Sequence, residues 1–223
     1  METTSQITGY FVTGTDTGIG KTTVSCALLH EFVRRGNAAV GMKPVAAGSE
    51  NGIWRDVLNL QQASNLALPH ALINPYALTA PVAPHISARK DGIHIDLAVI
   101  HQAFNALRAQ AQIVIVEGVG GFLVPLNDEH DTGDLATLLG LPVILVVGMQ
   151  LGCLNHALLS AHAIQARGLV LAGWVANQLD PDMPYLAENI ETLCTRLPGP
   201  LLGILPYQPS TNAESFADLL RLP

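Results

Sequence analysis

The sequence predicts a doubly wound α/β fold, a mostly parallel sheet with helices on both faces. Short unbroken apolar runs rich in Val and Ile alternate with longer amphipathic stretches. That is the pattern of strands buried on both sides beneath crossover helices. The longest run, 141–149, is only strand-length, far from the ~18–20 residues of a membrane span. Each residue suited to chemistry follows one of these runs, and sheets of this kind bind ligands at the carboxyl ends of their strands.

In chain order, residues 9–13 read as a buried strand leading into a glycine-rich turn. A helix over 22–35 follows, with Gly36 placed to end it. A strand at 38–42 precedes a helix over 54–65. Residues 69–92 carry several prolines but apolar residues throughout, so they read as an ordered excursion from the sheet. A helix over 96–110 leads to the strand Ile-Val-Ile-Val at 113–116. Strands at 143–147, 169–176 and 201–205 are separated by helices over 155–167 and 184–196. Residues 213–223 read as a short helix docking on the domain. No repeat, low-complexity tract or linker interrupts the pattern, so 1–223 is expected to be a single domain.

Composition sets limits on function. Of the 223 residues, 49% are apolar and 13% charged, too few charges for a solvated, disordered chain. A net charge of −7 without any Lys/Arg run argues against a nucleic-acid surface. Anions must instead be bound by a few placed groups. Cys26, Cys153 and Cys194 are widely spaced and odd in number, which reads as reduced thiols rather than a metal site. The polar opening Met-Glu-Thr-Thr-Ser-Gln is unlike a signal peptide. The expectation is a cytoplasmic protein with no membrane or nucleic-acid partner.

The first strand runs into Gly14-Thr15-Asp16-Thr17-Gly18-Ile19-Gly20-Lys21-Thr22-Thr23. Phosphate binding requires inward backbone N–H groups, a positive helix end and a cation. Gly18, Ile19 and Gly20 supply the curl, Lys21 the cation, and Thr22 and Thr23 the helix start. The Thr22 hydroxyl is placed to ligate Mg²⁺. The strict pattern G-x-x-x-x-G-K-[ST] fails only at its first position, where Thr15 stands and Gly14 lies one residue early. This is a P-loop NTPase type of domain. Partition and septum-site switch ATPases carry a second lysine near the start of this loop. Asp16 holds that position here.

The second strand runs into Lys43-Pro44-Val45-Ala46-Ala47. Lys43 is placed to meet a ligand anion, although taken alone it reads equally as a surface lysine. Asp56 opens a helix, where an acid is either a ligand or a capping charge. Glu117 ends the strand Ile-Val-Ile-Val and precedes a glycine-rich turn. Mg²⁺ prefers few protein oxygens plus phosphate and water, and Thr22, Asp56 and Glu117 form such a set.

Several blocks together resemble the dethiobiotin synthetase family. They are Phe-Val-Thr-Gly-Thr-Asp-Thr, Gly-Lys-Thr, Lys-Pro-Val-Ala, Val-Glu-Gly-Val-Gly-Gly, Leu-Pro-Val-Ile-Leu-Val-Val-Gly, Leu-Gly-Cys-Leu-Asn-His-Ala and Ala-Gly-Trp-Val-Ala-Asn, running from residue 11 to about 207. The resemblance implies a ligase of biotin synthesis that uses ATP, CO₂ and 7,8-diaminononanoate. In that family the carbamate formed from one amine attacks the γ-phosphate, and the neighbouring amine closes a cyclic urea. By the match, Lys21 and Lys43 lie between carbamate and triphosphate, with Thr17 and Ala47 beside the substrate. Asn177 reads the adenine edge and Pro206 and Tyr207 flank the base. Gly152, Cys153 and Asn155 begin a helix that receives the substrate carboxylate across a homodimer interface.

Plainer readings stand beside these. Asn177 reads also as a turn asparagine, Tyr207 as ordinary packing, and Asn155 as a helix cap. His85 lies in a family-like block, Ala83-Pro84-His85, without assigned chemistry. Two departures stand out: Gly18 occupies a position where several relatives have glutamate, and Ala47 one where some have serine. A non-catalytic or altered-substrate paralogue and a nucleotide-switch ATPase are the alternatives.

Overall fold

The computed structural model describes residues 9–208 and 213–223; the polar opening, residues 1–6, lies outside them. In chain order the strands are β1 (Gly9–Gly14), β2 (Ala39–Met42), β3 (Val45–Ala47), β4 (Tyr76–Leu78), β5 (Ile113–Glu117), β6 (Val143–Met149), β7 (Leu171–Gln178) and β8 (Leu201–Leu205). The helices are α1 (Lys21–Arg34), α2 (Arg55–Ala63), α3 (His70–Ile73), α4 (Pro84–Asp91), α5 (Leu97–Arg108), α6 (Thr132–Leu139), α7 (Cys153–Ala166) and α8 (Leu186–Arg196), followed by a 3₁₀ turn at Ala213–Leu219.

Six strands form one parallel sheet in the order β2-β5-β1-β6-β7-β8. Alternation along each strand divides the apolar residues between two cores. Phe11, Val114, Val116, Leu145 and Val147 face one core with Ile100, Phe104 and Leu107 of α5, Ala157 and Ile164 of α7 and Leu193 of α8. Tyr10, Val12, Ile113, Ile115, Ile144 and Val146 face the other with Val24, Leu28 and Phe32 of α1 and Leu60 of α2. Both faces are therefore covered, as continuous Val/Ile runs require.

All six of these strands lie within two residues of the expected positions. Five elements, β3, β4, α3, α4 and α6, were not individually expected. Strands β3 and β4 form a separate two-stranded parallel ribbon. Helix α6 starts at a capping box, in which the Asp131 side chain accepts from the Asp134 N–H and the Asp134 side chain accepts from the Asp131 N–H. Residues 69–92 are indeed ordered, as α3, β4 and α4. Gly36 follows the end of α1 with φ 84°, and its N–H bonds the Val33 carbonyl at 2.9 Å, the glycine helix stop the sequence suggested. Helix α7 begins two residues earlier than expected. Its N-cap is Gly152 in the left-handed region, so Asn155 sits inside the first turn and is not the cap.

The 3₁₀ turn docks on α1 and β8. Phe216 and Leu220 enter the α1 core. Arg34 bridges Glu31 of its own helix and Asp218 of the turn. The fit against β8 is close, since a Cβ on Gly203 would lie 2.4 Å from the Leu219 carbonyl oxygen.

Candidate functional site

A cleft of about 300 Å³ opens at the carboxyl ends of β1, β2 and β5. Its floor is the turn between β1 and α1. The Thr15 N–H donates to the Val146 carbonyl at 3.0 Å, and its hydroxyl accepts from the Gly148 N–H at 3.3 Å, which ties the turn to β6. The Asp16 carboxylate accepts from the Thr17 N–H at 2.7 Å. Gly20 caps α1 with φ 90°. A Cβ there would stand 2.2 Å from the Asn177 amide nitrogen, so conformation and space both demand glycine. That same Asn177 amide donates to the Ile19 carbonyl at 2.8 Å. Asn177, from the end of β7, thus holds the loop from behind.

Lys21 is buried, and its ammonium donates to the Asp16 carbonyl at 2.7 Å. Burial, with Lys43 nearby, lowers its pKa to about 8. Lys43 is not a surface lysine, because it is only 2% exposed. Its N–H donates to the Ile73 carbonyl at 2.8 Å, and its carbonyl accepts from the Asn74 amide at 2.7 Å. Its ammonium pairs with Glu117, donates to the Gly118 carbonyl at 3.0 Å, and lies 3.1 Å from Asp56. Burial opposes the charge on Lys43, but the two carboxylates more than offset it and raise the pKa above the ordinary lysine value.

Glu117 is fully buried. Its Oε1 accepts from the Thr22 hydroxyl at 2.9 Å as well as from Lys43. Its Oε2 has no protein partner among the described residues. Burial pushes the Glu117 carboxyl up, against the pull of Lys43. Asp56, in the first turn of α2, is half-exposed. Burial would raise its pKa, but Lys43, then the Thr22 hydroxyl, hold it below the usual carboxylate value. Two ammonium groups and two carboxylates thus meet with a hydroxyl in one cleft, so little net charge is buried.

Thr17, Gly18, Gly20, Lys21, Thr22, Lys43, Ala47, Asp56 and Glu117 all border this cleft, with Val119 and Gly120. The side chain of Ile19 is buried in the core behind the loop. Thr23 does not border the cleft and lines a neighbouring pocket with Thr22, Cys26 and His30. Pro206 and Tyr207 are exposed just past β8, whose Leu205 pairs with Asn177, so these three residues share the sheet end beside the loop. The start of α7 does not border the cleft. There Cys153 is buried with its thiol 3.9 Å from Asn189 Oδ1, while Leu151, Gly152 and Asn155 are exposed.

Sequence reasoning missed the carbonyls of Asp16 and Gly118 that receive the two lysines, and Asn74, which fixes the Lys43 backbone. The glycines after Glu117 signalled a turn but not its carbonyl. Asn74 carried no signal in its proline-rich stretch. Among the described residues no helix is long and apolar enough to cross a membrane, and no cluster of three His, Cys, Asp or Glu side chains is suited to a metal.

Known proteins are similar to this chain in two ways. A family model described as an AAA domain matches residues 8–215. The chain is 60% identical over 212 residues to the ATP-dependent dethiobiotin synthetase BioD of Nitrosospira multiformis, covering 95% of this chain and 94% of that protein. It is 56% identical over 218 residues to the protein of the same name from Aromatoleum aromaticum, covering 96% and 97%. Among solved structures, the septum site-determining protein MinD of Pyrococcus horikoshii, complexed with Mg-ADP, matches with a TM-score of 0.61 and 16% identity, covering 95% of this chain and 94% of that one. The cell division protein FtsY of Thermotoga maritima matches with a TM-score of 0.54 and 18% identity, covering 93% and 63%. At such identities these two show the fold alone.

Proposed function

This chain belongs to the dethiobiotin synthetase family of ATP-dependent cyclo-ligases, and from that premise we propose how its cleft performs the reaction. The observation that carries the proposal is the meeting of Lys21 and Lys43 with Thr22, Asp56 and Glu117 beneath one glycine-rich loop.

The substrates are ATP, CO₂ and 7,8-diaminononanoate. The N–H groups of Gly18, Ile19, Gly20, Lys21, Thr22 and Thr23, at the positive end of α1, cradle the triphosphate. The Lys21 ammonium bonds its outer oxygens. Asn177 presents an amide to the adenine edge, and Pro206 and Tyr207 flank the base. Thr17 and Ala47 border the diamine, and Lys43 lies between its carbamate and the γ-phosphate. The carbamate oxygen bonds to the γ-phosphorus as the bond to ADP breaks. The second amine then bonds the carbonyl carbon as phosphate leaves, closing the ring. No protein nucleophile takes part. The lysines hold two anions together while charge moves between them.

The donor set fits Mg²⁺. Thr22, Asp56 and Glu117 offer hard oxygens, and the Oε2 of Glu117 is a buried acceptor without a donor among the described residues. Bound there with nucleotide, the ion would neutralise phosphate charge. Lys43 favours the ionised form of both carboxylates, against the burial that raises Glu117.

A second subunit completes the site. The positive end of α7, with Gly152, Cys153 and Asn155, suits the substrate carboxylate, yet it does not border the cleft of its own chain. A homodimer that brings one α7 to the other subunit's cleft accounts for both facts. The setting is a single-domain enzyme of the cytoplasm, without membrane or nucleic-acid partners.

The test is ADP release from Mg-ATP and bicarbonate, with and without 7,8-diaminononanoate. Diamine-dependent release with dethiobiotin as product is expected. Hydrolysis indifferent to the diamine, or none, sinks the proposal. Mixing a Lys43→Met subunit with an Asn155→Asp subunit should restore part of the activity lost in each, and no restoration would argue against the shared site.

A further inference from the structure

Asp56 reaches the cleft from a helix whose start has no side-chain cap. The N-cap residue of α2 is Trp54, which makes no capping hydrogen bond. Between the end of β3 and Trp54 runs a turn in which Gly48, Asn51 and Gly52 all have positive φ, and Asn51, Gly52 and Ile53 are exposed. The turn is closed by reciprocal Glu50–Ile53 backbone hydrogen bonds of 3.0 Å and by the exposed Glu50–Arg55 ion pair at 2.7 Å, which tie the start of α2 to the turn but not to the sheet.

The contact that ties this start to the β3–β4 ribbon is made by the indole. The Trp54 indole N–H donates to the Leu78 carbonyl at 2.9 Å. The Gly48 N–H donates to the same oxygen at 3.1 Å. One carbonyl of β4 therefore gathers both ends of the turn. Leu78 pairs with Ala47 in the β3–β4 ribbon, so the anchor is rigid. Trp54, Ala47 and Asp56 also wall one side pocket of about 240 Å³ next to the cleft. Two residues beyond the indole stands Asp56, half-exposed and facing Lys43. With that much exposure, its place depends on where the first turn of α2 is held.

We infer that Trp54 is a positioning residue for the metal-nucleotide site, its indole N–H bond to Leu78 setting the place of the Asp56 carboxylate. The inference rests on the role proposed above for Asp56. Partners that orient a metal ligand without touching the metal commonly alter metal affinity about 10–100-fold. The indole acts through a helix turn rather than by direct contact, so the low end of that range applies.

The experiment measures ADP binding by calorimetry, with Mg²⁺ and with EDTA, for the unaltered protein, Trp54→Phe, Asp56→Asn and the double variant. Phenylalanine keeps the ring and removes the donor. Trp54→Leu, which also lacks a donor, serves the same purpose should the first variant fold poorly by circular dichroism. Mg-ADP binding should weaken about tenfold in Trp54→Phe, with ADP binding in EDTA nearly unchanged. In the Asp56→Asn background the tryptophan change should add almost nothing, because the group it positions is gone. Equal weakening with and without Mg²⁺, or full additivity in the double variant, would mark Trp54 as merely structural and overturn the inference. Unchanged Mg-ADP binding in Asp56→Asn itself would instead remove the metal role of Asp56, and the inference with it.

Discussion

Replacing Lys43 with methionine should destabilise the fold before any catalytic effect is considered. Methionine fills a similar volume but carries no charge. Glu117, fully buried, would lose its ion-pair partner and keep only the Thr22 hydroxyl as a donor. Removing one member of a buried pair costs about 3–5 kcal/mol. Burial already pushes the Glu117 carboxyl up, so uptake of a proton recovers part of that. A loss of about 3 kcal/mol is expected, or roughly 6–12 °C in melting temperature for a domain of this size. The assay is urea unfolding followed by circular dichroism, in EDTA and without nucleotide. The double variant Lys43→Met, Glu117→Gln should recover most of the loss, because exchanging both partners of a buried pair for neutral groups is often near neutral. A single-variant loss below about 1 kcal/mol, or a double variant no better than the single one, would refute the account of Lys43 and Glu117 as an interdependent buried pair.

Other outcomes follow from the same structure. Burial works against the Asp134 charge, but the Asp131 N–H and Arg167 hold its pKa below the ordinary 3.8; this carboxylate therefore contributes stability above that value and loses it as pH falls through its lower native pKa. Asp134→Asn should cost about 1 kcal/mol near neutrality, and the gap from the unaltered protein in unfolding curves should close in strong acid; a gap that widens there contradicts the assignment. Among the thiols, exposed Cys194 should react readily with a disulfide reagent at pH 8. Cys26, buried and pushed up to about 12, and buried Cys153 should react only after unfolding, which mass spectrometry of the labelled peptides reads directly. Gly20→Ala should nearly abolish nucleotide binding, since its Cβ meets Asn177. Gly18→Ala meets nothing within 4 Å despite φ 74° and should cost only about 1 kcal/mol of stability from backbone strain, with binding retained. Calorimetry of ADP binding separates the two.

The main sheet was legible because burial on both faces imposes continuous apolar strands. Ile113–Glu117 and Val143–Met149 could hardly be anything else. The ribbon of Val45–Ala47 and Tyr76–Leu78 was not legible, since three residues make no pattern. Helix α6 carried a signal in Asp131 and Asp134, but eight residues containing a glycine give a weak helical period. The start of α7 was misplaced because asparagine is a favoured cap by chemistry, whereas Gly152 caps by conformation. Within the cleft, the rule that ligands gather at strand ends pointed to Lys43 and Glu117, which the structure brings together with Asp56 of α2. It did not reveal that Lys43 is buried among carboxylates, because that depends on how β2, β5 and α2 converge across the sheet. The separation of α7 from its own cleft was likewise a matter of three-dimensional placement alone.

The docking of the 3₁₀ turn on α1 has a consequence for synthesis on the ribosome. The ion pair between Arg34 and Asp218 spans 184 residues of sequence. Strand β1 likewise finds its neighbours in β5 and β6, far downstream. The phosphate loop is among the first segments to emerge, yet the surfaces that hold it are translated late. A nascent chain halted before residue 213 would expose the flank of α1 that receives Phe216 and Leu220. At about 5–20 residues per second this interval lasts on the order of ten seconds. In that window the sticky side of the loop's own helix is open to chaperones, and nucleotide capture awaits the arrival of the distant residues.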